Sequence, residues 1–230
     1  TNFFEYLLFL YILLIPIQIE LIKIDYLRGL QYSDSLIIIM LLISIKKILY
    51  NGFYKILSKA DIVILLIFFS ATLSLIFGSK YFFSVSDFFA SAYFLIFYYI
   101  LKINLTKNNI DMIVFFIIIS SYITCLFGLV GFILIYFNIE SNLVFFIEDY
   151  PYLGDVYRMK SFMLSPSMFN SYIALGLFLF FSKILHKNKP INLIDLLILL
   201  TLIVSILLTL TKSILCIFCS LMILYLIKKN

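Results

Sequence analysis

Long apolar segments follow one another along almost the whole sequence, and they constrain the fold more than any other feature. A helix that crosses a membrane needs roughly 20 mostly apolar residues. About eight segments approach that requirement, at residues 3–22, 35–50, 61–77, 88–103, 110–137, 168–182, 193–210 and 213–227. Their succession, with short polar connections, predicts a polytopic membrane protein.

The overall composition supports this interpretation. The chain is 64% hydrophobic and 13% charged, whereas a soluble domain of this size is nearer half apolar and a quarter charged. So few polar side chains could not cover a surface in water, and the exterior must therefore face lipid. The predicted fold is all-α, an integral membrane protein of about eight transmembrane helices in which residues 1–230 form a single helical domain.

Basic residues are distributed unevenly between the connections. The connections on one side of the predicted membrane, together with the chain ends, carry 11 of the 17 basic residues but only four of the 12 acidic ones. Cytoplasmic connections of membrane proteins are enriched in Lys and Arg, so both termini are predicted to be cytoplasmic. The long connection 138–166 is then an extracytoplasmic loop, where irregular and functional structure is most expected.

The stretch 157–172, YRMKSFMLSPSMFNSY, joins that loop to the sixth predicted helix. Arg158 and Lys160 precede the helix, Ser165 is placed to cap it, and Pro166 suits its first turn. A helix N-terminus presents unpaired N–H groups that favour phosphate, and the planar Arg side chain can bind phosphate through two parallel hydrogen bonds. Asn170 continues the polar residues into the helix. Arg158, Lys160, Ser165 and Asn170 are therefore candidate residues for binding an anionic substrate.

A further cation, Lys212, lies in the polar break TLTKS (209–213) between the last two segments. By the predicted topology it faces the same side as Arg158 and Lys160, and together the three predict a diphosphate clamp on the outer face. Other interpretations stay open. Arg158 and Lys160 could be interfacial side chains whose charged ends reach water. Lys212 could simply mark a hairpin tip, since burying it in the membrane would cost several kcal/mol.

Other reactive residue types do not form a recognisable site. Cys125, Cys216 and Cys219 lie in apolar runs and are interpreted as ordinary thiols. The single histidine, His186, belongs to a basic loop on the predicted cytoplasmic side. No metal-binding or cofactor-binding motif is present, and no basic motif typical of nucleic-acid recognition. We therefore expect no metal, no cofactor and no nucleic-acid partner.

The segment 158–229 resembles the O-antigen ligase and polysaccharide polymerase family. In that family an Arg precedes a Gly-x-Phe-like segment and a Pro-Asn pair that opens a membrane helix. The corresponding residues here are Arg158, Ser161, Phe162 and Pro166, with Ser161 in place of the usual Gly and Ser167 in place of the usual Asn.

The resemblance extends to the break between the last two segments. The family commonly has a Thr/Ser-x-Ser-Arg-Gly turn two spans later, and TLTKS would carry it, with Lys212 for the Arg and Ser213 for the Gly. The family's large later outer loop, with a catalytic His and a further Arg, has no counterpart in this sequence. Either the chain is incomplete and ends before that loop, or it is not a competent enzyme of that type.

What the resemblance implies is glycosyl transfer at the outer face of the bacterial cytoplasmic (inner) membrane, without a metal. The donor would be an undecaprenyl-diphosphate-linked oligosaccharide and the acceptor a sugar hydroxyl, as in a polysaccharide polymerase or an O-antigen ligase. Arg158 and Lys212 would be the catalytic cations that stabilise the departing diphosphate. Lys160, Ser165 and Asn170 would bind substrate.

Two other functions compete with this one. A transporter or flippase would place charges or broken helices near the middle of the bilayer, whereas the charges here are predicted at helix ends. A membrane scaffold would need no chemistry of its own. The sequence does not distinguish polymerisation from ligation, and it does not identify the sugar, the acceptor or the oligomeric state.

Overall fold

The computed structural model describes residues 3–18, 20–24, 27–51, 59–77, 81–105, 107–150, 154–186 and 192–211, with the isolated residues 217 and 225. This part of the chain is mostly helical. Its helices are α1 (Phe3–Leu14), α2 (Tyr32–Asn51), α3 (Lys59–Phe77), α4 (Tyr81–Asn104), α5 (Lys107–Tyr136), α6 (Pro166–His186) and α7 (Leu193–Leu208). Two antiparallel hairpins complete it, formed by β1 (Glu20–Ile24) with β2 (Leu27–Gln31) and by β3 (Val144–Tyr150) with β4 (Gly154–Met159).

The hairpins correct the all-α prediction. The first predicted span, 3–22, is divided between α1 and β1, because α1 ends before Pro16 and a proline disfavours helical backbone at the residue before it. The second hairpin occupies the connection 138–166. Its strands carry runs of Val, Phe, Ile and Tyr, which fit a pleated, half-buried surface.

Two of the described helices are long and apolar enough to cross a membrane. They comprise Asn109–Tyr136, within α5, and Pro166–Leu185, within α6. Shorter apolar helical segments are Phe3–Leu14, Asp34–Ile45, Asp61–Ser70, Ala92–Asn104 and Leu193–Leu208. The predicted span 213–227 lies outside the described residues except for Ile217 and Tyr225.

The chain divides into two compact units. The first comprises Thr1–Tyr11 and Ile19–Ile110, and in it α4 packs against both α2 and α3. Lys102 of α4 forms an ion pair with the fully buried Asp61 of α3, with 2.5 Å between Nζ and Oδ2. On the other side of α4, the amide of Asn104 accepts from Lys47 and donates to the Ser44 hydroxyl, both on α2.

The second unit comprises Ile12–Gln18 and Asp111–Asn230. Its core joins α5, β4, α6 and α7 through apolar side chains that are fully buried, namely Cys125, Met159, Phe169, Ile173, Leu177, Leu202 and Ile206. α5 and α6 approach closely where Gly176 faces Ser121, and a Cβ on Gly176 would lie 2.5 Å from the Ser121 Cβ. Small residues at both positions allow the two helices to approach this closely.

Candidate functional site

The hairpin β3–β4 sets the position of Arg158. Its register pairs Val144 with Met159 and Phe145 with Arg158. Met159 is buried against Gly128 of α5, and Val144 lies against Gly131 one turn further on. Because successive side chains of a strand point to opposite faces, Arg158 is directed to the face opposite Met159.

On that face Arg158 contacts the C-terminal end of α7. Its Nε donates to the carbonyl oxygen of Thr209 over 2.7 Å. Thr209 is the C-cap of α7, and carbonyls at this end of a helix have no partner within the helix and carry partial negative charge. The guanidinium has five N–H donors, so this single bond at Nε orients the side chain without using its two Nη nitrogens.

Asn170 of α6 reaches the same residue from the other side. Asn170 and Thr209 are both fully buried, and 3.4 Å separates the Asn170 Oδ1 from the Thr209 Oγ1. The Thr209 hydroxyl donates over a shorter distance, 2.6 Å, to the carbonyl of Ile206. Thr209 therefore links Arg158 and Asn170, which are both candidate residues from the sequence, whereas Thr209 itself is not one of those candidates. The sequence feature that points to Thr209 is its position as the first residue of the polar break TLTKS.

The break after α7 is present as predicted. α7 ends at Leu208, and Leu210 has a φ of 48°, in the left-handed region that terminates helices. The helix therefore ends at the break TLTKS and does not run through it. Lys212, predicted as the second catalytic cation, lies outside the described residues. Its distance from Arg158 stays a prediction.

The start of α6 has the predicted cap. Pro166 is the first residue of the helix, and the Ser165 hydroxyl accepts from the backbone N–H of Met168 over 3.3 Å. The Ser165 carbonyl accepts from the N–H of Phe169 over 3.1 Å. Ser165 therefore already has a structural role at the helix N-terminus, and its hydroxyl also lies 3.0 Å from that of Ser167.

The turn between β4 and α6 is held by hydrogen bonds to Leu143, just before β3, and to Gln18, after α1. The backbone N–H groups of Lys160 and Ser161 donate to the carbonyl of Leu143, and the side-chain oxygen of Gln18 accepts from the N–H of Leu164. The Lys160 side chain is half-buried. These bonds fix the path of the chain from Arg158 to the N-terminus of α6.

Ser161 has an unusual backbone within this turn. Its φ is 51°, a left-handed conformation that glycine adopts at little cost. The buried Ser161 hydroxyl donates to the carbonyl of Thr124 in α5 over 2.9 Å. The turn thus combines backbone strain with a hydrogen bond that holds it against α5.

A pair of substitutions separates these two contributions. Ser161→Ala loses the hydrogen bond and keeps the strain, whereas Ser161→Gly loses the bond and relieves the strain. We expect Ser161→Gly to be more stable than Ser161→Ala by about 1 kcal/mol, measured by thermal unfolding in detergent micelles. Equal stability of the two variants would contradict the strained backbone.

Within the described part of the chain, no group of three or more His, Cys, Asp or Glu side chains is placed to hold a metal ion. The backbone of His186 forms the end of α6, but its side chain is outside the description. Cys125 is buried in the core of the second unit, and Cys216 and Cys219 lie outside the described residues.

Comparison with known proteins adds no relative. The chain matches no family model, no curated protein and no solved structure.

Proposed function

We propose that this chain is a multi-pass protein of the bacterial inner membrane, with about eight spans and both termini in the cytoplasm, and that it takes part in glycosyl transfer at the outer face. The donor is an undecaprenyl-diphosphate-linked oligosaccharide, and the acceptor is a sugar hydroxyl. The two described helices of membrane-spanning length support the membrane placement. The resemblance to O-antigen ligases and polysaccharide polymerases supports the reaction class.

The observation that carries the proposal is the placement of Arg158. β4, the second turn of α6 and the C-terminus of α7 meet around Thr209, which contacts both Arg158 and Asn170. An arginine held through Nε can direct both Nη nitrogens at two oxygens of a phosphate. Lys212 follows Thr209 by three residues in the sequence, so the chain supplies a second cation close to this junction.

In the proposed reaction, the bond between the sugar C1 and the donor diphosphate oxygen breaks, and C1 bonds to the acceptor oxygen. A general base takes the proton of the acceptor hydroxyl, and the lipid diphosphate leaves with additional negative charge. Arg158 and Lys212 stabilise that charge as it develops. Lys160 and the N-terminus of α6, with Ser165, bind the diphosphate, and Asn170 holds Thr209 beside them.

Ser161 gives independent support to the alignment with the family. The resemblance places Ser161 where those proteins commonly have glycine, and this residue has a φ of 51°. A shared backbone path that requires a left-handed residue would favour glycine at that place. On this proposal, serine takes the place of glycine at a left-handed position of the turn.

A transporter is the competing function, and the described charged residues favour the transferase. Glu5, Asp34 and Asp61 lie in the first turns of α1, α2 and α3, and Lys102 lies in the last turn of α4. Transporters tend to place charge near the middle of the bilayer. Charges at helix ends instead fit helices that support a site at the membrane boundary.

The test is Arg158→Ala, made in the bacterium that carries the chain. We expect loss of long glycan with normal insertion of the protein, and only partial recovery with Arg158→Lys, because lysine keeps the charge but lacks the planar pair of donors. The readouts are glycan length on gels and accumulation of the lipid-linked donor.

Arg28, the other arginine of the sequence, supplies the matched control. Arg28→Ala removes the same charge from β2 in the first unit and should leave glycan length unchanged. Unchanged glycan in Arg158→Ala, or equal loss in both variants, would overturn the proposal.

A further inference from the structure

The hairpin β3–β4 connects the two described helices that are long enough to span a membrane. It begins eight residues after α5 ends at Tyr136 and finishes seven residues before α6 begins at Pro166. Its start and finish therefore lie on the same side of a membrane that both helices cross. Its base also packs against α5 within the candidate span, at Gly128 and Gly131. With a rise of 1.5 Å per residue, these glycines lie about 8 to 12 Å below the end of α5.

Beyond this buried base, the next two residues on the same face are exposed. Phe146 and Tyr157 pair across the strands, with ring centroids 4.9 Å apart, and their exposed fractions are 43% and 44%. Antiparallel partners share a face, so this aromatic pair continues the face of Val144 and Met159 outward from α5. Exposed apolar residues also lie in the chain before β3 and after β4, namely Tyr136, Phe137, Ile139, Phe162 and Leu164.

We propose that the part of the hairpin nearest the helices lies in the headgroup layer of the outer leaflet, with the Phe146–Tyr157 pair at the boundary between headgroups and acyl chains. The inference rests on the membrane placement proposed above. Its partner is the lipid surface itself, which the hairpin binds beside the site around Arg158.

The depth follows from the hydrogen bonding of the hairpin. A two-stranded sheet leaves backbone N–H and C=O groups unpaired along both outer edges. Unpaired backbone groups are not tolerated against hydrocarbon, so the strands cannot lie in the acyl region. Tyrosine and other aromatic rings, by contrast, accumulate at the level where headgroups meet acyl chains. The headgroup layer provides hydrogen-bond partners for the strand edges, and its boundary with the acyl chains is the level that aromatic rings favour.

The charges along the hairpin indicate the same orientation. The cations Arg158 and Lys160 stand at its base, whereas Glu148, Asp149 and Asp155 belong to its far half. Lipid phosphates attract the basic end, and the acidic end is favoured in water away from anionic headgroups. A partner protein or a second copy of the chain would not require this separation of charge with distance from the helices.

The sequence contains no tryptophan, which allows a direct test of depth. Phe146→Trp and, separately, Tyr157→Trp each introduce a single fluorophore that keeps the aromatic pair. The whole chain is placed in vesicles of phosphatidylcholine and phosphatidylglycerol, whose acyl chains carry bromine either near the headgroup or near the bilayer centre. Ile123→Trp is the matched control, at a 42% exposed position near the middle of α5.

We expect the hairpin tryptophans to emit at shorter wavelength than tryptophan in water, and to be quenched several-fold more by shallow bromine than by deep bromine. The Ile123→Trp control should show the reverse preference. Quenching of both hairpin tryptophans by aqueous iodide but not by brominated lipid would overturn the inference while the control still supports membrane placement. If the control is not quenched by deep bromine, the membrane placement in the proposed function fails.

Discussion

Replacing Asp61 by alanine is expected to lower the free energy of unfolding by about 3 kcal/mol. The Asp61 side chain is fully buried and accepts hydrogen bonds from the Lys102 ammonium over 2.5 Å and from the Tyr98 hydroxyl over 3.0 Å. The side chain of Lys102 is only 23% exposed. Removing the carboxylate leaves a largely buried ammonium without its ion-pair partner, and the cost of keeping that charge out of water is then not offset.

The control removes both charges. In the double variant Asp61→Ala with Lys102→Met, both members of the ion pair are replaced by apolar residues, and we expect more than half of the lost stability to return. Unfolding of all three proteins can be followed by circular dichroism during denaturation of the protein in mixed micelles. A double variant as unstable as Asp61→Ala alone would show that the ion pair does not determine the effect.

Replacing Gly176 by leucine should destabilise the second unit by about 3 kcal/mol, at the upper end of the usual cost of overpacking. The space beside Gly176 is filled by the Ser121 side chain, whose Cβ would lie 2.5 Å from a Cβ at residue 176. Even an alanine there would overlap Ser121, so α5 and α6 would have to move apart. The buried contacts of Phe169, Ile173 and Leu177 along α6 would then loosen as well.

A compensating substitution identifies the cause. Gly176→Ala should lose about 2 kcal/mol, and adding Ser121→Gly should recover most of the loss, because it removes the side chain that the new methyl group meets. Leu175→Ala, at the neighbouring 47% exposed position, should change stability by only about 0.5 kcal/mol. Similar losses for Gly176→Ala with and without Ser121→Gly would contradict a steric origin.

Several features could be predicted from the sequence because they depend on neighbouring residues. The apolar segments predict most of the helices, and Ser165 with Pro166 predicts where α6 begins, since capping involves groups one turn apart. The polar break at 209–213 predicts the end of α7.

The connection 138–166 shows where such local reasoning fails. The sequence predicts irregular structure there, yet Val144–Tyr150 and Gly154–Met159 form the hairpin β3–β4. A two-stranded hairpin is marginally stable by itself, and this one is supported by packing of Met159 and Val144 on two glycines of α5. Neither strand carries that information, because the supporting surface lies in a separate helix.

By itself, the sequence determined that the chain is mostly helical, where several helices begin and end, and which polar residues fall near those ends. Only the tertiary structure decided that Arg158 reaches Thr209, that Asn170 meets Thr209 from α6, and that Asp61 pairs with Lys102. The physical reason is the range of the interactions. Hydropathy and capping act within a helical turn or along one segment, whereas these contacts join residues about 40 or 50 positions apart, and only the packing of helices brings them together.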